Sequence, residues 1–132
     1  MSDSPVQITG IHHVGIPVTD FERALAFYVG VLGLEPIAAP KAFAPGVRWL
    51  RLGNEHIHLI KTTGKSDADG ARHVALHIKD VRAAQKHLEA LGFKLTPQPF
   101  VKNAERFYIN DPDGNSVELI QWFDDWGDGS NQ

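Results

Sequence analysis

Ile11-His-His-Val-Gly-Ile-Pro-Val-Thr-Asp20 is a largely apolar run closed by an aspartate, and it returns as Arg72-His-Val-Ala-Leu-His-Ile-Lys-Asp80. His13 and His73 stand sixty positions apart, as do Val14 and Val74, and Asp20 and Asp80. The echo continues downstream. Leu32-Gly33-Leu34 returns one residue early as Leu91-Gly92-Phe93, and His58-Leu59-Ile60 returns as Glu118-Leu119-Ile120, again sixty apart. Self-similarity at a fixed spacing decides an architecture before any single element does. The chain reads as two copies of one module.

Working outward, the first copy opens with a strand over residues 8–18, in which His13 and Gly15 share a face. Pro17 argues for an incompletely paired position or a local bulge. Asp20 is placed to cap a helix over 21–32, with Phe21, Ala24, Leu25, Tyr28 and Leu32 on one stripe and Gly33 as its stop. A strand over 34–38 and a loop over 39–46 lead to strands at 47–52 and 55–61, turned at Gly53-Asn54. Residues 62–71, polar and glycine-containing, form a linker.

The second copy repeats the order. A strand over 72–79 precedes a helix over 81–91, capped by Asp80 and ended by Gly92. Strands follow at 93–99, 105–110 and 116–122, the last two joined by the turn residues Asp111-Pro-Asp-Gly-Asn115. Residues 123–132 form a polar tail. The expected class is α+β, a βαβββ module twice.

At 132 residues the chain suits one domain built from two half-domains. A hydrophobic share of 42% and a charged share of 22% are ordinary for a soluble globular protein. A net charge of −3 without a basic run argues against a nucleic-acid partner. No apolar run approaches the roughly 18 residues of a membrane span, and no signal peptide is legible, so the expected location is the cytoplasm. With no cysteine, any metal must be held by nitrogen and oxygen.

His13 precedes His58 by forty-five residues, and His73 precedes Glu118 by the same forty-five. If the modules are pseudo-symmetric, their inward faces make these four a three-imidazole, one-carboxylate cluster. That donor set suits one divalent transition metal, Zn, Fe, Ni or Mn, with positions left open for substrate. A lone histidine on an apolar strand is more often a hydrogen-bonded core residue. Equal spacing of all four favours ligation, and Glu118 lies in an otherwise apolar strand, where an unpartnered charge is costly. His56 and His77 share faces with His58 and His73, and Trp49, Arg51, Arg106 and Tyr108 alternate on the third strands. These six are the candidate substrate-binding residues, the arginines suited to an anionic group. By strand alternation His12 faces away from His13, and neither it nor His87 receives a role.

At these residues the chain resembles the vicinal oxygen chelate superfamily, which includes glyoxalase I, methylmalonyl-CoA epimerase, fosfomycin-resistance transferases, extradiol dioxygenases and bleomycin-binding proteins. The resemblance spans about residues 10–122 and rests on His13-Val-Gly-Ile-Pro-Val-Thr-Asp20, Phe27-Tyr-Val-Gly-Val-Leu-Gly-Leu34, His73-Val-Ala-Leu-His-Ile-Lys-Asp80 and Phe107-Tyr-Ile-Asn-Asp-Pro-Asp-Gly-Asn-Ser-Val-Glu-Leu119. It implies two paired βαβββ modules forming a curved mixed sheet around a metal site, often completed across a homodimer. Its metal positions match His13, His58, His73 and Glu118. His58 stands where glyoxalase I and the epimerase carry Glu or Gln, which leaves Glu118 as the one carboxylate among the ligands. Lys102-Asn-Ala-Glu-Arg106 replaces the potassium loop of the fosfomycin transferases. The resemblance therefore implies a glyoxalase-like isomerase or lyase, acting on a small metabolite chelated through adjacent oxygens, with Glu118 as base. An extradiol-type Fe(II) dioxygenase and an antibiotic- or toxin-binding protein without turnover stay open beside it.

Overall fold

The computed structural model describes Pro5 and residues 11–43, 45–63, 73–99 and 104–123, of Trp122 the backbone only. The chain divides into two compact units, Met1–Thr63 and Gly64–Gln132. That boundary falls in the expected linker, of which residues 64–71 lie outside the described residues. Residues 8–10 of the expected first strand and residues 124–132 of the expected tail lie outside them as well.

The first unit runs β1 (His13–Val18), α1 (Phe21–Leu25), a π-helical segment (Ala26–Val31), β2 (Glu35–Ile37), β3 (Val47–Leu52) and β4 (Glu55–Lys61). Its sheet has the order β1-β4-β3-β2, with β1 parallel to β4 and the other pairs antiparallel. Pro17 is tolerated because β1 has a ladder partner on one side only within this sheet. Asp20 caps α1 by accepting from the Arg23 backbone N–H at 3.1 Å. The expected single α-helix instead widens after Leu25, where Leu32 N–H reaches back five residues to the Phe27 carbonyl at 2.9 Å. The wider turn lets the neighbours Phe27 and Tyr28 both enter the core, packed edge-on at 4.9 Å. Gly33 then takes φ +80°, and Leu34 N–H closes on the Tyr28 carbonyl.

Strand alternation divides this sheet cleanly. Ile16, Val18, Leu50, Ile57 and Leu59 point to one face and are buried, as are Ala24, Phe27 and Tyr28 of the helical segment. The ladder sets His13 beside His56, Gly15 beside His58 and Trp49 beside His58, so the opposite face carries the histidines.

The second unit runs β5 (His73–His77), α2 (Val81–Ala90), β6 (Thr96–Pro97), β7 (Ala104–Asn110) and β8 (Ser116–Trp122), with the order β5-β8-β7-β6. The expected strand over 93–99 contracts to the pairs Thr96–Tyr108 and Pro97–Phe107, since Pro97 and Pro99 bring no N–H to a ladder. Asp80 caps α2 through the Ala83 N–H at 3.0 Å, and Gly92 at φ +91° ends it. Ladder partners repeat the first unit sixty residues on: His73 lies beside Ser116 and Ala75 beside Glu118. Val74, Leu76, Phe107, Ile109, Val117 and Leu119 point to the other face, largely buried. Among the described residues no helix is long and apolar enough to cross a membrane.

Candidate functional site

In the first unit, β4 presents His56 and His58 on one face by its period of two, while β1 adds His13 from the neighbouring strand. His58 is 6% exposed and lies between two parallel rings, with His13 at 3.9 Å and Trp49 at 4.1 Å between centroids. Gly15, beside His58 in the ladder, makes room for Ile60, since a Cβ on it would lie 3.1 Å from Ile60 Cδ1. Burial first, then the charges of the neighbouring His13, His56 and His12, lower the His58 pKa from 6.5 to about 4. The ring is therefore neutral at pH 7, the state a metal ligand requires.

His12 corrects the expectation from alternation. It precedes β1, so strand geometry does not govern it, and its Nδ1 lies 2.8 Å from His13 Nδ1. Its carbonyl accepts from the His56 N–H at 3.2 Å, which ties residue 12 to β4. Ring centroids of His12 and His56 are 5.0 Å apart. The visible signal was the His-Ile-His spacing on β4 beside a second consecutive histidine before β1.

A cavity of about 330 Å³ opens beside these imidazoles, lined by Phe43, Val47, Trp49 and Ile60 as well as His12, His13 and His58. Phe43 stacks on Trp49 at 6.2 Å, and Phe43 and Ile60 are both exposed at its edge. Arg51 shares the face of Trp49 but is engaged by Glu35, its ladder partner, at 2.8 Å.

In the second unit, Glu118 is 5% exposed, and its two oxygens are divided. Oε1 lies 2.9 Å from His73 Nε2, and Oε2 accepts from Arg106 Nη1 at 3.1 Å. Tyr108, the ladder partner of Glu118, brings its hydroxyl to 3.5 Å from His73 Nε2. His77 is exposed on the same face at the end of β5. Each expected ligand pair is thus brought together inside its own unit, His13 with His58 and His73 with Glu118.

The chemistry of His73 and Glu118, an imidazole nitrogen beside a carboxylate oxygen, suits a divalent metal. Two ligand atoms on one ion, each about 2.1 Å away, are separated by about 3.0–3.4 Å. The 2.9 Å His73–Glu118 separation approaches that range, and Arg106 holds the other carboxylate oxygen.

A sequence model described as the Glyoxalase/Bleomycin resistance protein/Dioxygenase superfamily matches residues 10–119. Among curated proteins, YaeR of Escherichia coli is 28% identical over 123 residues, 84% of this chain and 95% of that protein. A Vibrio parahaemolyticus protein named "Probable lactoylglutathione lyase" is 27% identical, covering 84% of this chain and 89% of its own. Among solved structures, a Bacillus anthracis protein described at the level of the glyoxalase family superposes with a TM-score of 0.81 at 27% identity, covering 90% of this chain and 99% of that one. The antibiotic-binding protein TnmS3 of a Streptomyces shares the fold, with a TM-score of 0.70 at 24% identity over 89% of this chain and 98% of its own. The repeated βαβββ units and the match over residues 10–119 agree: the chain belongs to the Glyoxalase/Bleomycin resistance protein/Dioxygenase superfamily.

Proposed function

We propose that the protein is a divalent-metal enzyme of glyoxalase-like type, an isomerase or lyase acting on a small metabolite that binds through adjacent oxygens. His13, His58, His73 and Glu118 are the ligands. The observation that carries this reading is the buried Glu118 carboxylate, held between His73 and Arg106 at the ladder position equivalent to His58. A bound ion supplies Lewis-acid stabilisation of an oxyanion forming on the substrate.

The chain's own residues supply the rest. Glu118 takes the proton adjacent to the carbonyl, and Arg106 holds its second oxygen and orients it. Phe43, Val47, Trp49 and Ile60 pack the apolar part of the substrate and exclude water beside His58. Tyr108 lies opposite Glu118 and His56 beside His13, each in its own sheet, as polar groups for substrate, and the family resemblance supports a homodimer.

Deuterium exchange into small α-hydroxycarbonyl compounds, followed by NMR, tests the proposal. Metal-loaded protein should exchange the proton next to the carbonyl, and Glu118→Gln and chelator-treated protein should not. Oxygen uptake with a catechol on Fe(II)-loaded protein would replace this reading with a dioxygenase. The exposed aromatic cavity favours a second reading, sequestration without turnover, which predicts ligand binding that survives removal of metal.

A further inference from the structure

The first unit contains more imidazoles than the proposed ligand set uses. His12, His56 and His58 each place a ring nitrogen within 4.8 Å of the other two. His56 Nδ1 and His58 Nε2 are 3.3 Å apart, matching the edge of about 3.3 Å between two nitrogens on one tetrahedral ion. His12 lies ahead of β1, its side chain is exposed and its backbone is anchored to β4, so its ring can close the remaining gap by rotation. His12 Nδ1 lies 2.8 Å from His13 Nδ1, a contact that the rotation gives up. Exposure falls from His12 through half-buried His56 to buried His58. Three converging imidazole nitrogens share one natural occupant, a borderline divalent cation.

We infer that His12, His56 and His58 form a metal-capture site for Zn(II), Ni(II) or Cu(II) within the first unit alone, needing neither His73 nor Glu118. The inference goes beyond the proposed function, because His12 and His56 are not in that ligand set. A site without a carboxylate is the weaker of the two, filled on titration and emptied by dialysis. Since both sites use His58, capture and the four-ligand state exclude one another.

The test is calorimetric titration of the chain with nickel chloride in a His73→Ala/Glu118→Ala variant, with His73→Ala/Glu118→Gln in parallel should the first fail to fold. About one equivalent should bind, and adding His12→Ala and His56→Ala should weaken binding at least tenfold. No nickel binding by the folded His73/Glu118 variants, or binding indifferent to His12 and His56, would overturn the inference and leave the four-ligand reading standing. Metal that survives dialysis in those variants would likewise contradict a weak, exchangeable site.

Discussion

Glu118 and His58 occupy equivalent ladder positions and solve burial differently. Glu118 is a buried carboxylate satisfied by a histidine and an arginine, whereas His58 is a buried imidazole kept neutral between two rings. Arg106→Met should therefore weaken metal affinity by about 10–100-fold without removing a ligand, as loss of an outer hydrogen-bond partner does. Unchanged affinity in a competition assay would show that Arg106 does not position Glu118. For metal-free protein, the unfolded chain protonates His58 near 6.5 and the folded chain only near about 4. The unfolded state binds more protons across that window, so stability falls as pH drops from 6.5 towards 4, and the loss levels off below. Urea midpoints of His58→Gln should fall less steeply over the same range; parallel slopes would contradict the neutral buried ring. The equivalence of His58 and Glu118 was legible in the sequence because their spacing from His13 and His73 is identical. His12 was not, because it precedes β1 and strand alternation does not govern it.

At the scale of elements, turns and caps fix the registers that aim these side chains. Asp111 is buried at the β7–β8 turn, where Oδ1 accepts from the Asp113 and Asn115 N–H groups at 2.9 and 2.8 Å and Oδ2 from Asn115 Nδ2. That turn sets Tyr108 opposite Glu118. Asp111→Ala should cost about 3 kcal/mol, since bonds to a charged group contribute about 1.5–3 kcal/mol each and buried donors are left unpaired. Asp80→Ala, which removes one exposed cap, should cost about 1 kcal/mol. Chemical denaturation checks both, and equal losses would show that the turn is no more than a cap. Caps, glycine stops and the Gly53 and Gly114 turns were readable because each needs a particular residue at a particular place. The π-helical widening after Leu25 was not, since the apolar stripe of residues 21–32 suits a plain α-helix and the packing of Phe27 beside Tyr28 decides otherwise. The strand over 93–99 was overextended for a related reason: its prolines suit an extended chain but supply no ladder donors.

At the scale of the whole molecule, the repeat carried the fold, because two copies of one pattern restrict topology far more than either copy alone. The substrate was less legible. Members of one superfamily share a scaffold while their chemistry lies in a few side chains and the walls of a cavity. Here the walls are Phe43, Val47, Trp49 and Ile60, drawn from a loop and two strands, and no short motif encodes them. A bound metal would also link site to stability. Zinc or nickel at a hundred times its dissociation constant should add about 2.7 kcal/mol to unfolding, with a Tm that climbs with metal concentration. A Tm indifferent to metal and to chelator would rule out a native-state site.

Elemental analysis of protein purified without added metal and dialysed, beside His58→Ala and Glu118→Ala, tests the central claim most directly. About one equivalent of a transition metal in the parent, lost in both variants, is the predicted result. No metal in the parent, with none taken up on titration, would contradict it and leave a ligand-sequestering protein as the better account.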